Sequence, residues 1–220
     1  MSADYPLSQQ NKVRQLQDKA VYERDVVHAT LDSALVASVG FVEDGRAVVV
    51  PMIYGREAET LFLHGARKAR VIRMLAQSRH LCINVTQVDG IVFARSAFNS
   101  SMNYRSATVF GSARLLEGAD EKIHALRVIS EHTMPGRWDE LRDPLDKEVK
   151  MTGVIAVNIE TASAKVSAGM PDDEDEDYAI PVWAGVLPVR TSFAQAEDDD
   201  RLADGIKPSA VVCALEGKLL

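Results

Sequence analysis

The sequence predicts a mainly β fold of the α+β class, in which antiparallel strands close into a barrel and helices pack outside it. Short apolar runs with turn residues between them indicate seven or eight strands in hairpin-like succession. Two or three segments of helical periodicity stand between these strands. The regular alternation of strand and helix that is typical of a parallel sheet is missing, so a closed antiparallel barrel fits better.

The first third of the chain is predicted to form an arm, a helix and three strands. Residues 1–18 lack apolar periodicity, and the arm is placed at residues 1–20. Helical spacing predicts a helix over Tyr22–Ala34. Three strands follow at Leu35–Val42, Ala47–Tyr54 and Thr60–His64, with an Asp44-Gly45 hairpin turn after the first. Pro51 removes a donor from the second strand, so a bulge, an edge or a site that uses the backbone is expected there.

The middle and end of the chain are predicted to contain further strands and two main helices. The helices are expected at Ala66–Ser78 and Ala119–Thr133, and Arg137–Lys150 is expected to be a loop with a short helix. An Asp89-Gly90 turn is expected to separate two of the strands. The strands are His80–Val88, Ile91–Ala94, Tyr104–Leu116, Gly153–Ile159, Ala164–Ser167 and a final extended segment at Pro181–Val189. Residues 21–190 then form the barrel domain, and residues 191–220 form a tail.

Composition narrows the class of protein. The chain has 220 residues with 25 basic and 32 acidic side chains, a net charge of −7. This acidity argues against general nucleic-acid binding. No apolar run approaches the roughly 20 residues that cross a bilayer, and the N-terminus has no hydrophobic signal-peptide core. The two cysteines, Cys82 and Cys213, fit neither a disulfide framework nor a metal motif. We therefore expect a soluble, cytoplasmic protein.

A basic cluster follows the third strand, against the charge of the whole chain. The strand ends at His64-Gly65, and Arg67, Lys68, Arg70 and Arg73 come directly after it. A helix that starts here would present free N–H groups and a favourable dipole to an anion, and phosphate suits the added cations. The alternative is a solvated basic helix face, since charge runs usually lie on the surface. Neither a Walker loop nor a dinucleotide fingerprint is present.

Six short motifs, in order, carry a resemblance to a known family. The chain resembles the flavin-binding split-barrel superfamily of pyridoxamine 5′-phosphate oxidases, and most closely its nitroimidazole-reductase-like branch. The resemblance runs from about residue 14 to residue 190. The matching pieces are Val50–Tyr54, Leu61–Arg70, Asp89–Ser96, Asn103–Ser106 leading to Val109-Phe110-Gly111, Pro135–Trp138 and Pro181–Val186.

The resemblance implies an antiparallel split β-barrel of the FMN-binding type and a homodimer that holds two FMN molecules between its subunits. The residues after Pro51 would face the flavin ring through main-chain groups, the strand end at His64 would lie beside the ribityl chain, and the cations would bind the phosphate. Trp183 would come from the partner subunit. Relatives often carry Ser at the place of Ala69. The implied cofactor-binding set is Pro51, Met52, Ile53, Tyr54, His64, Gly65, Ala66, Arg67, Lys68, Arg70, Arg105, Ser106 and Trp183.

The activity implied by the resemblance is FMN-dependent reduction of a small electrophile, of nitroaromatic or quinone type, with electrons from a reduced nicotinamide. His64 is the candidate catalytic residue, because a near-neutral pKa suits a donor to flavin or substrate, or a ligand. One alternative is a flavin- or haem-binding protein without turnover, with haem bound through His64. Another is a pyridoxamine 5′-phosphate oxidase-like enzyme, although the substrate signature of true oxidases is not found after Trp183. FAD or a deazaflavin in place of FMN is left open, and no metal is expected.

Overall fold

The computed structural model describes residues 4–78 and 81–220. Short 3-10 turns lie at Gln17–Lys19, Trp138–Glu140 and Asp175–Ala179. The α-helices of the described residues are α1 (Arg24–Asp32), α2 (Arg70–Gln77), α3 (Ala119–Thr133), α4 (Asp146–Met151) and α5 (Ala210–Cys213). The strands are β1 (Ala20–Val21), β2 (Val36–Glu43), β3 (Arg46–Glu57), β4 (Thr60–Ala66), β5 (Leu81–Phe93), β6 (Ser101–Leu115), β7 (Thr152–Ser167) and β8 (Gly185–Pro188).

The strands form a mainly antiparallel sheet, as predicted. Their hydrogen-bonded order is β1-β7-β4-β3-β2-β5-β6, and β8 pairs with β5. Strand β7 also pairs with β6, so the last strand of this order is hydrogen-bonded to the second one. The recorded pairs of β1 with β7, β2 with β3, β3 with β4, β4 with β7 and β5 with β8 are all antiparallel. None of the helices in the described residues is long and apolar enough to cross a membrane.

The chain divides into two compact units. The first comprises Met1–Ala34, Ile83–Phe110 and Glu160–Arg190, and the second comprises Leu35–Cys82, Gly111–Ile159 and Thr191–Leu220. In the first unit, Val27 and Leu31 of α1 are buried. The N-terminal segment packs onto this unit, because Tyr5 is buried and its hydroxyl bonds His28 Nε2 at 3.0 Å. Asn11 Nδ2 donates to the Ala162 carbonyl at 2.9 Å, which holds the same segment.

The core of the second unit lies between α3 and strands β4 and β7. Its buried cluster consists of Phe62, Leu116, Ala125, Ile129, Val154 and Ala156. Helix α3 also lies directly on β3, because a Cβ added at Gly55 would come within 2.7 Å of the Ile129 Cα. Only glycine permits this approach of helix and strand. The helix that the sequence predicts over Ala119–Thr133 is confirmed, and its packing sets one wall of the site described below.

The predicted Asp89-Gly90 turn is wrong. Strand β5 runs without a break from Leu81 to Phe93, and Gly90 pairs with Pro188 of β8. A Cβ at Gly90 would lie 2.9 Å from Val186 Cγ1, so the glycine serves the close approach of β8 rather than a turn. The two strands predicted at Gly153–Ile159 and Ala164–Ser167 are likewise one strand, β7. His80, predicted to begin the first strand of this region, lies outside the described residues.

The helix predicted over Ala66–Ser78 begins later, at Arg70. Strand β4 remains paired with β7 through Ala66 and Thr152, so the backbone at Ala66 is extended rather than helical. Arg67 and Lys68 consequently lie in the turn between strand and helix. Pro51 lies in an unbroken strand opposite Ser38 of β2. The pairing of β3 with β4 starts only at Tyr54, so Pro51 is at an edge position, one of the three outcomes expected for it. A site that uses the backbone there stays a prediction.

In the acidic segment 172–177, one carboxylate lies in the interior rather than in solvent. Asp173 is buried, and its carboxylate accepts hydrogen bonds from the Arg95 backbone N–H at 2.8 Å and from Arg95 Nη1 at 3.0 Å. Burial would raise the pKa of Asp173, but the Arg95 hydrogen bonds and charge bring this pKa below its ordinary value. Spacing along the sequence could not reveal this pair, because its partners are separated by 78 positions.

Candidate functional site

A cavity of about 560 Å³ lies within the second unit. Strand β3 contributes Ile53 and strand β4 contributes His64. The rest comes from α3, the segment between α3 and α4, and Glu148 of α4. Most of the lining is aliphatic or aromatic, which suits an apolar ligand. The lining residues are Ile53, His64, Leu126, Ile129, Ser130, Thr133, Met134, Trp138, Leu141, Arg142, Pro144 and Glu148.

His64 is held in this wall by the pairing of β4 with β7, in which it faces Val154. Its Nδ1 is buried and has no hydrogen-bond partner among the described residues. A buried polar nitrogen without a partner carries a free-energy cost. Burial also lowers the pKa of His64, so the imidazole is neutral at pH 7. Neutral imidazole is the form that coordinates metal ions.

An arginine–glutamate pair lines the cavity together with Trp138. Arg142 Nη2 donates to Glu148 Oε1 at 2.6 Å, and Arg142 Nη1 donates to Glu148 Oε2 at 3.0 Å. The hydrogen bond from Arg142, followed by that from the Leu145 backbone N–H, lowers the pKa of Glu148 to about 2. Sequence reasoning did not select either residue, because the segment around them is polar and reads as a loop. Nothing in its local spacing points to a site.

The basic cluster is partly neutralised by carboxylates. Arg67 Nη2 donates to Glu117 Oε2 at 2.7 Å, and Arg70 forms an ion pair with Glu43. The hydrogen bond from Arg67 lowers the pKa of Glu117. Lys68 is exposed and has no recorded partner among the described residues. A phosphate would therefore have to compete for Arg67 and Arg70, while the Lys68 ammonium is available to it.

The strand predicted to face a flavin ring alternates between the interior and the surface. Met52 and Tyr54 are buried, whereas Pro51 and Ile53 point outward. Ile53 is the member of this group that lines the cavity.

The glycine after His64 lies close to the side chain of Ile72 in α2. A Cβ at Gly65 would lie 3.2 Å from Ile72 Cγ1, tighter than an ordinary contact. The neighbouring Ala66 is exposed at the end of β4.

Three of the predicted cofactor-binding residues belong to the first unit. Arg105 donates two hydrogen bonds to Asp89, from Nε to Oδ2 at 3.0 Å and from Nη2 to Oδ1 at 2.9 Å. These hydrogen bonds raise the pKa of Arg105. Ser106 is the next residue of β6 and is half-buried. Trp183 is 68 % exposed and lies beside Phe93, with ring centroids 5.8 Å apart. An exposed tryptophan of this kind has most of its apolar surface available to another molecule.

The two histidines of α3, His124 and His132, have partners in the second unit. His124 Nε2 bonds Glu57 Oε2 at 2.9 Å, and the ring of His124 packs edge-on against Phe62. The ring centroids of His132 and Tyr54 are 4.7 Å apart. Neither histidine lines the cavity, so among the histidines of the described residues His64 is the one that the cavity exposes to a ligand.

Comparison with known proteins decides the family. The family model described as pyridoxamine 5′-phosphate oxidase matches residues 23–166, which is more than half of the chain. The chain belongs to the pyridoxamine 5′-phosphate oxidase family. The sequence-based prediction of this family is confirmed, and so is the antiparallel split-barrel fold. No curated protein matches the chain.

The solved structures that are similar to this family member over nearly its whole length include the two described here. The flavocytochrome Anf3 from Azotobacter vinelandii is 33 % identical, with a TM-score of 0.89, covering 95 % of this chain and 97 % of the other. The FAD and haem binding protein from Mycobacterium smegmatis is 36 % identical, with a TM-score of 0.87, covering 90 % of this chain and 98 % of the other. Both matches are long enough to include most of the C-terminal segment that lies beyond the family model.

A third structure connects this family member with the branch predicted from its motifs. A candidate 5-nitroimidazole antibiotic resistance protein from Bacteroides thetaiotaomicron is 26 % identical, with a TM-score of 0.58, covering 67 % of this chain and 86 % of the other. The match is shorter and more distant than the two above. The flavocytochrome and the FAD and haem binding protein therefore provide the stronger comparison for the cavity.

Proposed function

We propose that this chain is a redox protein that binds a flavin and a haem, with the haem in the cavity of the second unit and His64 as its iron ligand. The observation that carries the proposal is the apolar cavity into which a neutral histidine with an unpartnered buried nitrogen is built. Two relatives that match nearly the whole chain are a flavocytochrome and a protein that binds FAD and haem, which supports the same assignment.

The residues of the cavity fit a haem on three counts. Haem is an apolar plane, and the lining is mostly aliphatic and aromatic. Its iron takes an imidazole nitrogen, which His64 offers in the neutral form. The cavity volume of about 560 Å³ falls within the range of about 300–1,000 Å³ that small-molecule and cofactor sites occupy. A haem would supply one-electron and oxygen chemistry where it is bound, and the chain would supply the ligand and a mostly apolar lining.

For the flavin, we propose the residues that the family resemblance implies in the second unit. Arg67, Lys68 and Arg70 would bind phosphate, while main-chain groups of Met52–Tyr54 and Gly65–Ala66 would lie along the rest of the cofactor. Lys68 supports this role because its charge has no recorded partner in the described residues. FAD is favoured over the FMN expected from the motifs, since the relative that is 36 % identical binds FAD. The roles of Arg105, Ser106 and the partner's tryptophan stay predictions.

Reduction of a small electrophile is a second candidate function. The similarity to the candidate 5-nitroimidazole resistance protein favours it, and it would use a reduced nicotinamide as electron donor. The flavin would provide the redox chemistry, and no nucleophilic triad is needed. Steady consumption of NADH or NADPH in the presence of a nitroaromatic or a quinone would support this candidate. Absence of turnover with either compound by flavin-loaded protein would count against it.

The experiment that tests the main proposal is a haem titration of purified protein, followed by its Soret band. Wild type is expected to bind haem with a spectrum typical of histidine ligation, and His64→Ala is expected to lose that spectrum. His124→Ala is the matched control, because His124 lies on α3 and does not line the cavity. Identical spectra for wild type and His64→Ala, or no haem binding by wild type, would overturn the haem assignment. The mass of the copurifying flavin distinguishes FAD from FMN.

A further inference from the structure

We infer that Arg142 binds a carboxylate of the porphyrin at the rim of the cavity. The inference rests on the proposed haem site and extends it, because it assigns the polar end of the ligand to a residue that neither the motifs nor the comparisons single out. Arg142 lines the same cavity as His64. Its side chain is 62 % exposed, so the cavity offers a cation next to water as well as an apolar wall.

Haem has the same division of polarity. Its ring is apolar and its two carboxylates leave from one edge, so it is stable where the ring is buried and the carboxylates remain near solvent and cations. The apolar members of the lining, such as Leu126, Ile129 and Trp138, suit the ring. Among the lining residues, Arg142 is the one with a permanent positive charge.

The hydrogen bonds that Arg142 already makes leave one edge of its guanidinium available. Nη1 donates to Glu148 and to the Asp143 carbonyl, the latter at 2.9 Å, and one N–H of Nη2 also donates to Glu148. The Nε–H and the second N–H of Nη2 have no recorded partner among the described residues. These two donors form the side edge of the guanidinium, which matches the two oxygens of a carboxylate.

Glu148 holds the guanidinium in this orientation without competing for the side edge. It is anchored by the Leu145 backbone N–H at 2.8 Å, in the first turn of α4. Its pKa of about 2 keeps it charged at all pH values near neutrality. Because Glu148 binds the Nη1–Nη2 end of Arg142, the arginine's positive charge would lie between this carboxylate and the one that we assign to the porphyrin.

The test compares haem with haem dimethyl ester, in which both carboxylates are neutral. Dissociation constants would be measured by Soret titration for wild type, Arg142→Gln, Arg142→Lys and the control Arg137→Gln. Arg137 is a suitable control because it also pairs with a glutamate, Glu140 at 2.5 Å, but does not line the cavity. Thermal unfolding of each apoprotein checks that the variants are folded.

Wild type is expected to bind haem about tenfold more tightly than the ester, the low end of the range for a charge-assisted hydrogen bond. Arg142→Gln should bind haem about tenfold more weakly than wild type and should no longer distinguish haem from the ester. Arg142→Lys should fall between them, since it keeps the charge and loses the fork. Arg137→Gln should behave as wild type.

The affinities of wild type and the variants for iron-free protoporphyrin, measured by fluorescence titration, should follow the same order. The contact with Arg142 does not involve the iron. If Arg142→Gln keeps the wild-type preference for haem over the ester, the inference is wrong while the haem site stands. If wild type binds neither haem nor the iron-free porphyrin, the proposed function itself fails.

Discussion

Lys122 is a cation inside the second unit, with only 2 % of its surface exposed. Its ammonium donates to the Val149 carbonyl at 3.2 Å and to the Thr152 carbonyl at 2.9 Å, where α4 gives way to β7. Burial lowers the pKa of Lys122, yet the two carbonyls provide the hydrogen bonds that a buried ammonium needs. The backbone N–H of Arg67 bonds the Met151 carbonyl of the same junction at 2.8 Å. Lys122 thus stabilises the junction of α4 and β7, to which the backbone of the basic turn is hydrogen-bonded.

Replacing Lys122 by Met is expected to lower the free energy of unfolding by about 2–4 kcal/mol. Methionine keeps most of the aliphatic stem but leaves two carbonyls without their charged donor, and each such loss costs about 1.5–3 kcal/mol before relaxation. Urea denaturation would measure the change. Lys147→Met, at an exposed position on α4, is the control and should change stability by less than about 0.5 kcal/mol. Equal stability of the two variants would contradict the role of Lys122.

At the basic turn, the double substitution of Arg67 and Lys68 by Ala is expected to weaken flavin retention at least about tenfold. The two cations would each lose a charge-assisted hydrogen bond to phosphate. Flavin occupancy after gel filtration and a fluorescence titration would measure the effect. Arg114→Ala is the matched control, because Arg114 is also exposed and paired with a glutamate, Glu121 at 3.0 Å. Unchanged occupancy in the double variant would argue that the cluster is a solvated surface.

On the scale of elements, the contact of α3 with β3 determines the shape of the cavity. Ile129 and Ser130 of α3 line it, and Gly55 allows the helix to approach the strand. Gly55→Ala would bring a methyl group within 2.7 Å of the Ile129 Cα and of the Val128 carbonyl, both of which belong to the helix backbone. The helix must then move away, and overpacking of this kind costs about 1–3 kcal/mol.

We therefore expect Gly55→Ala both to lower the unfolding midpoint and to weaken haem binding. Gly118→Ala provides the control, because the nearest atom to its added Cβ is at 3.5 Å, an ordinary contact. The control should lose less than about 1 kcal/mol and keep its haem affinity. If Gly55→Ala matched the control in both measurements, helix α3 would not be held where the structure places it.

On the scale of the whole molecule, the predicted partner is a second copy of the chain. Trp183 is the exposed aromatic side chain that the family resemblance assigns to the partner's flavin. We expect a homodimer by light scattering, and Trp183→Ala is expected to weaken flavin binding without lowering stability. Phe98→Ala is the control, because Phe98 is fully exposed and lies in the same unit. A monomer with unaltered flavin affinity in the tryptophan variant would rule out this arrangement.

Local chemistry made several elements predictable from the sequence. The hairpin between β2 and β3 follows from Asp44-Gly45, which takes positive φ angles of 49° and 76°. Helix α3 follows from its apolar periodicity, because that pattern extends over 15 residues. The order of six motifs identified the family and brought His64 forward as a candidate ligand. In each case the interacting residues are close in sequence or belong to an ordered series of motifs.

The tertiary structure alone decided which groups accompany His64. Arg142 and Glu148 reach the cavity because α3 packs against β3 and β4 while α4 packs against α3, and no local spacing records that packing. Asp89-Gly90 is a second case. The local sequence predicts a turn there, but in the structure the segment belongs to strand β5, where Gly90 pairs with Pro188 of β8. The amino-acid sequence determined its own turns, helical stripes and family, since these depend on neighbours along the chain. Contacts across many tens of residues depend on how whole elements pack, and they determined the composition of the cavity.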